Sequence, residues 1–109
     1  MRGTYLAEFQ ELVLLSIVVL NEQAYGVSIQ DEINSKTGRS ISRGALHSAL
    51  SRLEEKGFIR SQFGEATAER GGRRKKFYQL TQHGQKALDE TKAIRESYYS
   101  AIQLKAQNS

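Results

Sequence analysis

Cysteine, proline and tryptophan are absent from this chain of 109 residues. Without cysteine there is no disulfide framework, no thiolate zinc site and no thiol nucleophile, which excludes zinc fingers and favours a reducing compartment. Without proline, helix boundaries fall to glycine and asparagine. Long apolar runs are missing too. The longest unbroken one is residues 12–15, and counted through Ser16 to Leu20 it reaches nine residues, against about 20 needed to span a bilayer. Acids at positions 8 and 11 occupy the stretch where an export signal would be apolar, so the expectation is a cytoplasmic protein with no membrane segment. The length allows one domain with one modest core.

Catalytic patterns are equally scarce. The neighbouring acids Glu54-Glu55, Asp31-Glu32 and Asp89-Glu90 diverge when placed on a helix, unlike the convergent carboxylates of acid–base chemistry. His47 and His83 lie on separate elements, and no phosphate-cradling glycine loop, nucleophile elbow or paired-histidine spacing occurs. The expectation is a protein without enzymatic activity and without a cofactor.

What is present is an uneven distribution of charge. The chain carries a net charge of +4, but residues 1–35 hold one base against five acids, whereas residues 36–76 hold eleven bases against four acids. A concentrated basic region attracts a polyanion, so nucleic acid is the leading class of partner; the plain alternative is a solvated basic surface.

The order of elements sharpens this. Residues 6–20 repeat apolar side chains at three-and-four spacing, with Leu14, Leu15, Val18 and Val19 widening the stripe, which predicts a helix buried on more than one side and ended at Asn21. Tyr25, Ile29 and Ile33 predict a second helix that stops at Thr37 and Gly38. Ser42 is suited to cap a third helix from Arg43 to about Lys56, terminated by Gly57, with Leu46, Leu50 and Leu53 on one side and polar groups on the other. Residues 58–63 and 76–80 read as strands of a hairpin with a long, flexible, cationic tip over residues 64–75. Within the basic run, strand alternation points Lys76 away from Lys75 without saying which faces outward. Thr81 caps a final helix of residues 82–105, whose seam of Ala87, Thr91, Ile94, Tyr98 and Ala101, flanked by Leu88 and Ile102, is too long to hide in so small a domain and implies a partner subunit.

Three helices followed by a hairpin is the order of a winged helix-turn-helix, in which the third helix enters the major groove and the hairpin reaches the backbone or minor groove. The expected fold is therefore mainly α with a small β-hairpin: a winged helix over residues 1–80 and a C-terminal dimerisation helix over 81–109, as one compact unit. The segments AYG (24–26), ISRGALHSALSRLEEKGFI (41–59) and GGRRKKFYQLTQHG (71–84) together resemble the PadR family of bacterial transcriptional regulators.

That resemblance implies a homodimer that represses genes by binding double-stranded operator DNA and is released by a small molecule or another signal. Carried over by position, it implies DNA contacts from Ser42, Arg43, Gly44, His47, Ser48 and Arg52 in the recognition helix, and from Gly72, Arg73, Arg74 and Lys75 in the wing. It implies dimerisation through the last helix, where the seam supplies Leu88, Thr91, Ile94, Tyr98, Ala101 and Ile102. This chain departs from the family pattern at His47 and Ser48, where tyrosine and then proline are usual. Arg52 has an alternative role in pairing with Glu54 or Glu55, and Tyr25 one in the core. A winged-helix adapter for another protein, or a ligand sensor with little DNA role and Phe9, Tyr98 and Tyr99 around a pocket, are the rival readings.

Overall fold

In the computed structural model, which describes residues 3–66 and 74–108, three helices pack into a core, a hairpin leans on it, and a long helix leaves it. Helix α1 spans Glu8–Leu20, α2 Gly26–Thr37 and α3 Arg43–Glu55; strands β1, Ile59–Ala66, and β2, Arg74–Leu80, precede α4, Gln82–Gln107.

Local chemistry sets the boundaries. Asn21, at φ 55°, takes the positive-φ conformation that ends α1, and Gly38 ends α2 at φ 75°. Gly57, at φ 81°, closes α3: its N–H donates to the Glu54 carbonyl (3.0 Å) while the Phe58 N–H donates to that of Leu53 (2.9 Å). This double return leaves Phe58 and Leu53 together in the core. The Ser42 hydroxyl accepts the Ala45 N–H at 3.0 Å, the N-cap read from the sequence.

The core gathers Val13, Leu14 and Ile17 of α1, Ile29 and Ile33 of α2, Leu46, Leu50 and Leu53 of α3, and Phe58. Each large apolar side chain so buried contributes roughly 1.5–3 kcal/mol before the cost of ordering it. The turn before α3 is held by α2. The Ile41 N–H donates to the Asn34 side-chain oxygen and the Ile41 carbonyl accepts from the Gln30 amide, both at 2.9 Å. These bonds fix where α3 starts and hence which face it presents.

Two expectations are corrected here. Helix α1 is buried on one side only, because Leu15, Val18 and Val19 are exposed in the subunit. The strands also run further than expected, to Ala66 and back from Arg74, so Arg74 and Lys75 belong to β2 and not to a loop. The pairing is antiparallel, from Ile59 opposite Leu80 to Phe63 opposite Lys76, with an irregularity before Ala66 meets Arg74.

Tyr78 is buried on the core side of β2, and its burial, with the nearby Glu54 carboxylate, pushes the phenol above its ordinary pKa of 10.0. An unfolded chain would lose that proton first, so the folded state holds more protons above pH 10. Stability from this group is complete below pH 10 and declines as pH rises further. Thermal melts taken between pH 9 and 11 should fall more steeply for the native protein than for Tyr78→Phe; equal slopes would contradict this assignment.

Candidate nucleic-acid interface

On α3 the division is complete: Leu46, Ala49, Leu50 and Leu53 are buried, while Arg43, Gly44, His47, Ser48 and Arg52 are all exposed. Leu46 and Leu50 lock the helix onto α1 and α2, so the opposite face is rigid and polar. Among the described residues neither Arg43 nor Arg52 joins an ion pair. Glu54 instead accepts a 2.7 Å hydrogen bond from the Ser61 hydroxyl, which fastens α3 to β1. A Cβ at Gly44 would meet nothing within 4 Å, so the subunit itself does not require glycine there.

The wing is attached through Ala24 and Tyr25. The Tyr78 N–H donates to the Ala24 carbonyl (2.9 Å), Tyr25 pairs with Phe77 through a single antiparallel bridge, and the two rings meet edge to face at 5.6 Å. Lys75 lays its ammonium 4.0 Å from the centroid of the half-buried Tyr25 ring, a cation–π contact. The Ser28 hydroxyl accepts the Tyr25 N–H (3.0 Å) and thereby fixes the start of α2 beneath this stack. The Arg74 guanidinium donates to the Gly64 carbonyl (2.9 Å) and lies 5.5 Å from the centroid of the exposed Phe63 ring.

These contacts enclose a cleft of about 370 Å³ between the starts of α2 and α3 and the strand β2. Arg43, His47, Arg74 and Lys75, four of the residues named from the sequence, line it together. Lys76, the end of the basic run read from the sequence, and Tyr25 line it as well; the tyrosine's place is revealed only by its non-local contact with Lys75. Ser48 and Arg52 lie on the exposed face of α3 outside the cleft, and Ser42 serves as the helix cap. Gly72 and Arg73 lie outside the described residues. Among the described residues no carboxylate lines the cleft.

A second surface lies along α4. Leu88 is only 7% exposed and packs with Ala87 in the core, while its remaining surface borders a groove against α1. Beyond Thr91 every described residue of α4 is exposed, including Ile94, Tyr98, Ala101 and Ile102. Ile94 and Tyr98 expose 61% and 69% of their surfaces. Side-chain bonds tie the first half of the helix back to the body, Arg95 to Glu11 at 2.8 Å and the Thr4 hydroxyl to Glu90. Beside it lies a groove of about 380 Å³ with Leu15, Val18 and Val19 of α1 along one wall. A hollow of about 530 Å³ on the other flank is lined by Tyr5, Leu6, Ile94 and Tyr98; Phe9 and Tyr99 do not line it.

Elsewhere, Arg39 in the turn before α3 pairs with Glu8 at 2.6 Å, and that hydrogen bond lowers the Glu8 carboxyl below its usual range. Both groups are exposed, so the pair orients the turn more than it stabilises the fold. Among the described residues no His, Cys, Asp or Glu cluster could hold a metal ion, and no helix is long and apolar enough to cross a membrane.

Residues 14–90 match the profile of the transcriptional regulator PadR-like family. An uncharacterised protein of Lysinibacillus sphaericus is 33% identical over 75 residues, which make up 67% of this chain and 66% of that one, just under two thirds of its length. Among solved structures, a transcriptional regulator from Clostridium thermocellum shares 26% identity over 91% of this chain and 96% of its own, with a TM-score of 0.69. A PadR-like transcriptional regulator from Bacillus cereus superposes with a TM-score of 0.70 over 91% of each chain; at 19% identity that likeness concerns the fold.

Proposed function

The chain belongs to the PadR-like family of transcriptional regulators, and from that premise we propose that it is a cytoplasmic, sequence-specific repressor acting as a homodimer on operator DNA. The observation that carries the reading is the meeting of Arg43 and His47 of α3 with Arg74, Lys75 and Lys76 of the wing around one cleft in which no described residue places a carboxylate. Next to it, the outward face of α3 offers Gly44, Ser48 and Arg52 to base edges, and Gly44 leaves room for a close approach. Two such heads about 34 Å apart would read successive major grooves of a palindromic site. Gly72 and Arg73, next in sequence to Arg74, would extend the wing's grip on the backbone.

The dimer reading rests on the exposed stretch of α4, Thr91, Ile94, Tyr98, Ala101 and Ile102, together with the apolar wall of Leu15, Val18 and Val19. An unpartnered apolar surface of this kind marks an association site. The hollow beside Tyr5 and Tyr98 is the place where a small apolar effector would bind and release the operator.

Binding to genomic fragments, including the region upstream of the protein's own gene, tests this reading in a gel shift. A small set of preferred fragments is expected; indifference to sequence at moderate salt would overturn it. Cations on the wing strand read the charge of the backbone, whereas a guanidinium at the start of α3 reads base edges. Arg74→Ala with Lys75→Ala should therefore weaken all fragments alike and reduce the salt slope by about 0.9 for each phosphate no longer neutralised. Arg43→Ala should alter the ranking of fragments, at about 1–3 kcal/mol for the base pair concerned. Uniform weakening by both variants would contradict this division of labour.

A further inference from the structure

His47 and His83 are the chain's only histidines, and there is no cysteine. Imidazole is the side chain whose ordinary titration falls between pH 5 and 8, so these two positions are where a response to pH near neutrality would originate. They stand in different surroundings. His83, at the start of α4, lays its ring 4.8 Å from that of the buried Phe58, away from the polar face of α3. His47 lines the cleft, one helical turn from Arg43 and across from Lys75.

The charged and titratable groups that share this cleft with His47 are Arg43 from its own helix, Tyr25 from the start of α2, and Arg74, Lys75, Lys76 and Tyr78 from the wing. Every permanent charge among them is positive, and no described residue of the free protein places a carboxylate there to pair with an imidazolium. A phosphodiester in the cleft would supply that negative charge. Lys75 is already held in place for it, since its ammonium rests on the Tyr25 ring at 4.0 Å, and Tyr25 is in turn fixed by Phe77 and Ser28. A prepositioned cation loses less side-chain freedom when it meets its anion.

We propose that this cleft seats one backbone phosphate of the bound duplex between Lys75 and His47, and that His47 takes up a proton as it does so. The inference rests on the DNA-binding reading given above and adds to it a dependence on pH: affinity for DNA falls as pH rises. Proton balance is simple. The imidazole gains one proton from solvent on binding and returns it on release, and a backbone phosphodiester keeps its single negative charge throughout. His47 thus makes this one phosphate contact conditional on proton concentration. A neutral imidazole accepting a hydrogen bond from a base would show no such uptake.

The test is fluorescence anisotropy at constant ionic strength between pH 6 and 8, using the duplex that binds best in the genomic-fragment experiment. The native protein should lose about tenfold or more in affinity across that range, as one linked proton per subunit allows. His47→Gln should bind with less than a threefold change over the same range, while His83→Gln should keep the native dependence. Lys75→Ala should weaken binding at every pH. A native affinity that is flat with pH, or a slope that survives in His47→Gln, would overturn the inference and leave the DNA-binding reading standing. Failure of the native protein to bind any duplex at pH 6 would overturn both.

Discussion

Gly84→Ala is expected to lower the melting temperature by roughly 12 °C or more, the consequence of about 3 kcal/mol of destabilisation in a domain of this size. The position lies where the end of α3, the start of β1 and the start of α4 converge. The Thr81 hydroxyl accepts the Gly84 N–H at 3.0 Å and donates to the Gly57 carbonyl at 2.6 Å, and the Thr81 N–H donates to the Phe58 carbonyl at 3.0 Å. These bonds draw α4 so close that a Cβ on residue 84 would stand 2.2 Å from the Phe58 carbonyl oxygen and 2.7 Å from Leu80. A backbone carbonyl cannot rotate away as a side chain can, so α4 must lift and take Ala87 and Leu88 out of the core. Gly44→Ala is the contrasting substitution. It meets no atom within 4 Å, and alanine is the better helix former, so its melting temperature should be unchanged or higher. A Gly84→Ala protein that melts with the native one would contradict the packing described at this junction.

The second large effect concerns the apolar seam. Replacing Ile94 and Tyr98 by glutamate should convert the protein to monomers without lowering its helix content, because neither side chain belongs to the core of the subunit. Two linked heads bind a duplex far more tightly than two separate ones, since the second head then engages within one complex. Loss of that linkage should cost about 100-fold or more in affinity for a two-half-site duplex. Affinity for a duplex carrying one half-site should change little, because the cleft and the outward face of α3 are untouched. Gel filtration and binding to both duplexes distinguish this outcome from misfolding. A double variant that remains dimeric would place the interface elsewhere.

Much of the fold was legible because its punctuation is local. Ser42 as a cap and Gly57 as a stop depend on residues within one or two turns, and so does the apolar stripe of Leu46, Leu50 and Leu53. What was misread depends on how far neighbouring elements reach. Leu15, Val18 and Val19 have the composition of a core, and sequence alone does not separate a side buried within the subunit from one left exposed on it. Arg74 and Lys75 looked like a loop because charge masked their place in the strand, and the pairing of Ala66 with Arg74 is non-local.

The candidate site was legible as a set of residues and not as a cleft. Arg43, His47, Arg74 and Lys75 are separated by up to 32 positions in sequence, and they converge because Ala24 and Tyr25 attach the wing beside the start of α3. Tyr25 shows no sign of that role in its own segment, where it reads as the first apolar residue of α2.

At the centre stands the claim that two chains, joined through their last helices, bind one duplex. Sedimentation velocity of the native protein, alone and with the best-binding genomic duplex, tests it most directly. A dimer is predicted in the absence of DNA, and a complex containing two chains per palindromic site in its presence. Single subunits under both conditions, at the concentrations where the duplex is bound, would contradict it.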